Sequence, residues 1–178
     1  INIPLIVNGA EQQITQFFNA AKQDVWGIEA ELTAILGDGL TIRAVMGYQD
    51  CNVKEFETPG AGYDLTSAPC ERAPEWQWTL DASYEMPLGD SLLLTLNANV
   101  NYTDENLYTQ SIASDAFNTF LDSRTLLNAS VTVSTNDGKY YVRAIGRNIT
   151  DERYRVATQV VAGLWTFANY GPPDYYGV

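Results

Sequence analysis

Charged side chains that could take part in acid–base chemistry recur at alternating positions along several half-apolar stretches. They are Glu29, Glu31, Arg43, Asp81, Glu85, Arg143 and Arg147. A carboxylate pair can catalyse glycoside hydrolysis when one group acts as the acid and the other as base or nucleophile. Glu29 and Glu31 share one face of a predicted strand with no pocket evident, which makes hydrolysis the weaker interpretation. The sequence has no histidine, so Ser-His, Cys-His and histidine–metal chemistry are excluded for this segment.

Aromatic side chains in the long irregular stretches could form flat surfaces for a ligand. The candidates are Tyr63, Tyr108, Phe117, Phe120, Trp165 and Phe167. Alternatively, some of them belong to an aromatic belt at a membrane interface. Acidic residues such as Asp50, Glu55 and Asp104 could bind calcium, but their spacing matches no calcium-binding loop. We therefore expect solvated acidic loops, with no metal site and no cofactor.

Two cysteines, Cys51 and Cys70, flank one irregular stretch and make a plausible disulfide. On the chain-entropy model a loop of this length would stabilise the fold by about 3 kcal/mol. The bond would persist only in an oxidising compartment. Two free thiols are the alternative.

Composition limits the class of protein. The net charge of −12, from 22 acidic and 10 basic residues, argues against a nucleic-acid partner, which would require a basic face. No apolar run approaches the roughly 18 residues of a transmembrane helix. This does not exclude a membrane, because the strands of a membrane barrel are only half apolar.

A hairpin over residues 76–102 is the strongest structural signal. Its apolar positions are Trp76, Trp78, Leu80, Ala82, Tyr84, Met86, Leu88, Leu92, Leu94, Leu96, Ala98, Val100 and Tyr102. Strict alternation puts successive side chains on opposite faces of a sheet. Both arms exceed the average strand of roughly 5–6 residues and reach the ~9–11 residues that cross a bilayer. The pattern predicts a transmembrane β-barrel in which the charged residues of the other face point into the lumen.

Tight turns and long connections alternate strictly along the chain. Turn dipeptides of hairpin type lie at Gly37-Asp38-Gly39, Gly89-Asp90 and Asn136-Asp137-Gly138. We predict irregular stretches at about Asn52–Ala73, Gln110–Phe120 and Asp151–Trp165. In an up-and-down antiparallel arrangement all short turns then lie at one end, as in bacterial outer-membrane barrels. Counting partial strands gives about eight. A soluble β-sandwich explains the alternation equally well, but it explains the strand lengths and the one-sided loops poorly.

Three motifs resemble those of TonB-dependent outer-membrane receptors. Residues 146–154, Gly-Arg-Asn-Ile-Thr-Asp-Glu-Arg-Tyr, resemble the penultimate-strand motif G-x-N-[LI]-T-[DN]-x-x-Y. Residues 170–178, Tyr-Gly-Pro-Pro-Asp-Tyr-Tyr-Gly-Val, are similar to the last strand, Y-G-x-P-R-x-[YF]-G-[VL]. Upstream, residues 19–31 resemble N-A-x-K-x-x-x-x-G-[VIL]-E-x-E. The resemblance covers essentially residues 1–178 and places them in the C-terminal portion of the receptor β-barrel.

The resemblance implies a roughly 22-stranded barrel around an N-terminal plug domain. Such receptors bind a scarce nutrient at the cell surface and import it with energy from the TonB–ExbB–ExbD complex. This chain would be about a third of the barrel, without the plug, and could not transport alone. The resemblance further implies that some of the seven charged residues contact the plug. The alternative is a solvated lumen with incidental ion pairs, each worth ~0–1 kcal/mol.

Two positions depart from the family pattern. Asp174 stands where the family commonly has arginine, which bears only on a local contact. The family's last strand continues to a terminal aromatic residue, whereas this sequence stops at Val178. We therefore expect the last strand to be incomplete.

The sequence thus predicts a non-enzymatic active-transport receptor in the outer membrane of a Gram-negative bacterium, in contact with lipid and lipopolysaccharide. A ferric siderophore is the default cargo, and carbohydrates, cobalamin and haem stay open. Two alternatives are a complete eight-stranded barrel (porin, adhesin or enzyme) and a secreted carbohydrate-binding β-sandwich.

Overall fold

A computed structural model of the chain describes residues 2–7, 10–15, 21–56, 66–109, 118–161 and 165–178, and within these ranges every regular element is a β-strand. In chain order the strands are β1 (Asn2–Val7), β2 (Ala10–Thr15), β3 (Ala21–Leu36), β4 (Leu40–Phe56), β5 (Trp76–Leu88), β6 (Leu92–Thr103), β7 (Asn106–Leu107), β8 (Phe120–Leu121), β9 (Arg124–Thr135), β10 (Tyr141–Arg147), β11 (Arg155–Val161), β12 (Trp165–Tyr170) and β13 (Tyr175–Gly177). Over the described ranges, no helix is long and apolar enough to span a membrane.

Seven of the strands form one antiparallel sheet in the order β13-β10-β9-β6-β5-β4-β3. The pairs β1–β2, β7–β8 and β11–β12 form separate two-stranded ribbons. The all-β, antiparallel prediction is confirmed. The main sheet has seven described strands where the sequence suggested about eight, because β1 and β2 pair with each other over their whole length.

Glycines with positive φ make the three tight turns of the main sheet. The φ values are 57° at Gly37, 124° at Gly39, 70° at Gly89 and 68° at Gly138, a region that side chains with a Cβ rarely occupy. We call the end of the sheet that carries these turns the turn end. The opposite end, with connections 57–75, 104–123 and 148–174, is the loop end.

The loop end contains more strand than the sequence predicted. Strand β4 continues to Phe56, so residues 52–56 are not irregular as expected. Likewise β11 and the start of β12 lie inside the stretch predicted to be irregular at Asp151–Trp165. The sequence of β11 is rich in β-branched residues, and this signal for a strand was missed. Pairing with β12 gives the backbone N–H and C=O groups of β11 hydrogen-bond partners, which in an irregular loop would be water.

The register of the main sheet separates two faces. Ala44 lies opposite Leu80, and Leu80 opposite Val100; one residue along, Arg43 lies opposite Asp81. We call these the apolar face and the polar face. Ile28, Leu32 and Val142 on the apolar face are 59 %, 63 % and 65 % exposed. No second sheet covers this face among the described strands. Large apolar patches that stay exposed on a protein mark contacts with a membrane or with another molecule.

Candidate functional site

The seven charged residues singled out from the sequence all lie on the polar face. Arg43 is opposite Asp81, and Glu31 is two pairs away from the Thr33–Arg43 pair, which puts it on the same face. The register runs from Glu85 through Thr95 and Thr132 to Arg143. Glu29 and Arg147 share their faces with Glu31 and Arg143 because they lie an even number of residues away. The structure therefore collects these side chains on one surface.

One ion pair is formed within this group. Arg43 Nη2 lies 2.7 Å from Glu31 Oε1, and the two side chains are 56 % and 55 % exposed. Exposed pairs of this kind contribute ~0–1 kcal/mol. Arg143 instead donates a hydrogen bond to Ser130 Oγ at 3.1 Å. Within the described residues, neither Arg143 nor Arg147 forms an ion pair with a carboxylate.

An amide hydrogen-bond chain that was not predicted from the sequence crosses the polar face. Asn99 Nδ2 donates to Asp81 Oδ1 at 2.7 Å, and Asn128 Nδ2 donates to Asn99 Oδ1 at 3.1 Å. The backbone N–H of Asn148 then donates to Asn128 Oδ1 at 3.0 Å. We call this chain the asparagine ladder. It links the middle of the sheet to the start of the loop after β10.

The ladder borders a groove of about 280 Å³ on the polar face. Its lining includes Arg43, Asp81, Asn99, Arg143 and Arg147. The mixture of amides and of both charge signs suits a hydrogen-bonding polypeptide surface or water better than an apolar ligand. Across the described part of the chain, no three His, Cys, Asp or Glu side chains converge to hold a metal ion.

Asn148 organises the turn that follows β10. Its backbone is left-handed, with φ 47°, and its side chain is 5 % exposed. Oδ1 accepts a hydrogen bond from the Glu152 N–H at 2.9 Å, while Nδ2 donates to the carbonyls of Glu152 at 3.0 Å and Pro172 at 3.3 Å. Asparagine is one of the few non-glycine residues that readily adopt this conformation. The asparagine of the first motif therefore ties the loop after β10 to the segment before β13.

Tyr154 and Gly171 join the first two motifs to each other. The Gly171 N–H donates to the Tyr154 carbonyl at 2.9 Å, and a Cβ at Gly171 would overlap the Tyr154 ring. Gly146 has a similar role on the apolar face, where a Cβ would lie 3.0 Å from Ile149 Cγ1 and 3.2 Å from Tyr176 Cε1. These glycines let aromatic rings pack directly on the backbone.

Gly171→Ala is expected to destabilise the full-length protein by about 1–3 kcal/mol, because the added methyl must displace the Tyr154 ring. Urea unfolding in lipid vesicles, followed by gel mobility without boiling, measures the change. The control is Gly47→Ala, since nothing lies within 4 Å of a Cβ there; it should stay within about 0.5 kcal/mol of wild type. Equal effects at both positions would contradict the packing role of Tyr154.

Cys51 and Cys70 form a disulfide with a Cα–Cα distance of 5.7 Å. It holds the returning loop against β4, where the Ser67 N–H also donates to the Val53 carbonyl at 2.7 Å. The Arg72 N–H of the same loop donates to the Leu107 carbonyl at 2.6 Å. The disulfide thus fixes a loop that contacts β7.

Replacing both cysteines, Cys51→Ser with Cys70→Ser, is expected to lower stability by about 3 kcal/mol, because the unfolded chain regains loop entropy. The same urea assay measures it. Reductant should shift wild type by a similar amount and leave the double variant unchanged. A wild type insensitive to reductant and equal to the double variant would contradict a stabilising bond.

The predicted aromatic ligand residues separate at the loop end. Tyr108 and Phe167 line one cavity of about 300 Å³ between β7 and the β11–β12 ribbon. Phe120 lines a different cavity, of about 440 Å³, beside the disulfide, and Trp165 is 58 % exposed at the start of β12. Tyr63 and Phe117 lie outside the described residues.

Aromatic rings also cluster on the apolar face near the loop end. Tyr48 lies between Trp26 and Trp76, with ring centroids 5.4 Å and 4.7 Å away. Trp78 stacks on Tyr102 at 5.5 Å. Trp26 Nε1–H donates to Asp50 Oδ2 at 3.1 Å. Rings with one polar edge in this position are typical of the aromatic girdle at a membrane interface.

At the turn end, one carboxyl group is held in its charged form. The Thr135 hydroxyl donates to Asp137 Oδ1 at 2.6 Å, and the Lys139 N–H donates to the same oxygen at 3.2 Å. These hydrogen bonds lower the pKa of Asp137 below its ordinary value of 3.8. The ionised Asp137 carboxylate therefore stabilises this turn fully at pH values above its ordinary pKa. This stabilisation is lost as the pH falls through the lowered pKa.

Long antiparallel strands with one exposed apolar face, one polar face and all long loops at one end define the class of outer-membrane β-barrels. The TonB dependent receptor-like β-barrel family model matches residues 3–150, and the chain belongs to this family. Its members are outer-membrane transport receptors of Gram-negative bacteria and not enzymes. The match contradicts the carbohydrate-binding sandwich.

Solved structures agree with the fold. The crystal structure of BauA, the ferric preacinetobactin receptor from Acinetobacter baumannii, superposes with a TM-score of 0.65 at 20 % identity, over 98 % of this chain and 24 % of that one. The siderophore receptor PiuA from Acinetobacter baumannii gives 0.63 at 19 % identity, over 86 % and 21 %. The chain thus spans about a quarter of the length of these receptors. A comparison with curated proteins found no match.

Proposed function

We propose that this chain is the C-terminal portion of the β-barrel of a receptor that imports a ferric siderophore across the outer membrane with energy from the TonB complex. The main observation behind this proposal is the antiparallel sheet with one apolar and one polar face. Its strands β4, β5, β6 and β9 are 12–17 residues long, which exceeds the ~9–11 residues that a strand needs to cross a bilayer. The apolar face contacts lipid and, at its aromatic end, lipopolysaccharide.

The siderophore cargo is supported by the two structural neighbours, which are themselves siderophore receptors. At about 20 % identity their likeness concerns the fold, so the cargo is our proposal and not a property carried over from them. Uptake of iron fits the acidic, aromatic-rich loop end and needs no resident cofactor in this chain.

The polar face is proposed to line the lumen and to contact the plug domain. Its charged residues Glu29, Glu31, Arg43, Asp81, Glu85, Arg143 and Arg147 present both signs to whatever fills the lumen. Arg143 and Arg147 have no carboxylate partner among the described side chains, which supports a role in holding acidic groups of the plug. TonB itself is proposed to contact the receptor outside this chain.

Ligand contact is proposed for the loop end. The candidate residues are Tyr63, Tyr108, Phe117, Phe120, Trp165 and Phe167. Tyr108 and Phe167 have the strongest support because their side chains line a single cavity.

The test is transport by the full-length receptor. A deletion strain and its complemented parent are supplied with a panel of ⁵⁵Fe-loaded siderophores, in cells with and without TonB. We expect one siderophore to be taken up only when both receptor and TonB are present. Uptake that persists without TonB, or a deletion that impairs only sugar or cobalamin uptake, would overturn the proposal.

A further inference from the structure

The cavity between Tyr108 and Phe167 is a built site rather than a gap between independent loops. Gln159 lies opposite Phe167 and Ala157 opposite Asn169 in the β11–β12 register, so these four residues share one face of the ribbon. Tyr108 and Thr109 close the cavity from the other loop. Two aromatic residues and two amide residues therefore line one volume of about 300 Å³.

Hydrogen bonds hold the two loops together beneath this cavity. Arg155 Nη2 donates to Asp122 Oδ2 at 2.8 Å and Nη1 to the Asn118 carbonyl at 3.2 Å, and its side chain is only 11 % exposed. Thr158, which is 4 % exposed, donates to the Thr119 carbonyl at 3.4 Å. The Tyr108 N–H donates to the same Thr119 carbonyl at 3.0 Å. The cavity walls are thus fixed relative to each other.

None of the described residues that line the cavity is charged. Its polar groups are the amides of Gln159 and Asn169 and the hydroxyls of Tyr108, Thr109 and Thr158. Amides and hydroxyls both donate and accept hydrogen bonds, which suits neutral carbonyl and N–O groups. An anionic ligand would favour arginine or lysine instead. Arg72 stacks 4.5 Å above the Tyr108 ring but does not line the cavity.

The surrounding loops are acidic. The described residues outside the main-sheet strands at the loop end include the acidic Glu71, Glu75, Asp104, Glu105, Asp122, Asp151, Glu152 and Asp174 and the basic Arg72, Arg153 and Arg155. Arg155 is already paired with Asp122. A surface with an excess of one sign repels ligands of that sign and lowers their association rate. Both the lining and its surroundings therefore disfavour a polyanionic ligand.

We infer that this cavity binds part of a neutral hydroxamate-type siderophore, with a ligand arm between the Tyr108 and Phe167 rings, and that the receptor discriminates against trianionic catecholate complexes. The inference rests on the proposed function. A volume of about 300 Å³ is at the lower limit of small-molecule sites, so it holds one arm and not a whole chelate.

The test is calorimetric titration of the purified full-length receptor with ferrichrome and ferric coprogen, two neutral trihydroxamates, and with ferric enterobactin, a trianionic catecholate, and maltotriose. We expect at least one trihydroxamate to bind, with a Kd at least about tenfold below that of ferric enterobactin. Phe167→Ala should weaken it about tenfold through loss of ring contact. Tyr170→Ala, on the same strand but outside the cavity lining, should leave the Kd unchanged.

The other outcomes of the titration separate the ligand class, the proposed function and the location of the site. Tighter binding of ferric enterobactin would overturn the inferred ligand class and leave siderophore import standing. Binding of maltotriose alone would overturn both. Trihydroxamate binding unaffected by Phe167→Ala, or equally weakened by Tyr170→Ala, would show that this cavity is not the site. Failure of every probe to bind would also overturn the inference.

Discussion

Leu96→Arg is expected to destabilise the full-length receptor by about 2–4 kcal/mol, the cost of an arginine on the lipid face near the bilayer midplane. Leu96 lies near the centre of β6, opposite Tyr84 and Val131 on the apolar face, and it is 37 % exposed in the sheet. In a membrane this exposed fraction contacts lipid, where a guanidinium finds no water. Urea unfolding in vesicles measures the loss.

The neighbouring residue provides the matched control. Thr95 lies on the polar face opposite Glu85 and Thr132, so an arginine there meets a carboxylate and a wet lumen. Thr95→Arg should stay within about 1 kcal/mol of wild type. If the two variants are equally stable, or if Thr95→Arg is the worse of the two, the two faces are wrongly assigned.

Asn148→Ala is expected to lower the stability of the full-length receptor by about 3–5 kcal/mol, through lost hydrogen bonds and added backbone strain. The change leaves the Glu152 N–H and the Glu152 and Pro172 carbonyls without the partner that the buried Asn148 side chain provides in a part-buried turn. Each lost hydrogen bond costs ~1 kcal/mol or more, and alanine at φ 47° adds strain of about 1 kcal/mol. The same unfolding assay applies.

Two further variants separate these contributions. Asn148→Asp keeps the acceptor for the Glu152 N–H and tolerates the left-handed backbone, so it should fall between wild type and Asn148→Ala. Asn136→Ala loses only an exposed hydrogen bond to the Asp90 carbonyl and should cost less than about 1 kcal/mol. An Asn148→Ala protein as stable as Asn136→Ala would contradict the organising role of Asn148.

The sequence predicts the strands and turns of the main sheet well, because few alternatives satisfy strict alternation. Once Leu80, Ala82 and Tyr84 alternate with Asp81 and Ser83, a slip of one residue would exchange the two faces. Turn glycines such as Gly89 then set where each hairpin closes. The face of each charged residue follows directly from this pattern.

The asparagine ladder and the loop end are less accessible to sequence reasoning, because their contacts join residues that are far apart in the chain. In the sequence, Asn99, Asn128 and Asn148 are simply polar positions. Their hydrogen bonds in the asparagine ladder become evident only when the strands are aligned in the sheet. Tyr108 and Phe167 line one cavity in a structure where Arg155 and Thr158 donate hydrogen bonds to the loop that follows Tyr108. The strand β11 was missed because it is only seven residues long and pairs with β12, a six-residue strand outside the main sheet.

The most direct test of the account is cell fractionation of the full-length protein with gel electrophoresis of boiled and unboiled samples. We predict that it is found in the outer-membrane fraction, rises in abundance when iron is chelated, and runs faster before boiling than after. These results are expected of a folded siderophore-receptor barrel. Recovery of the protein in a soluble fraction, with no boiling-dependent mobility shift, would contradict the central claim.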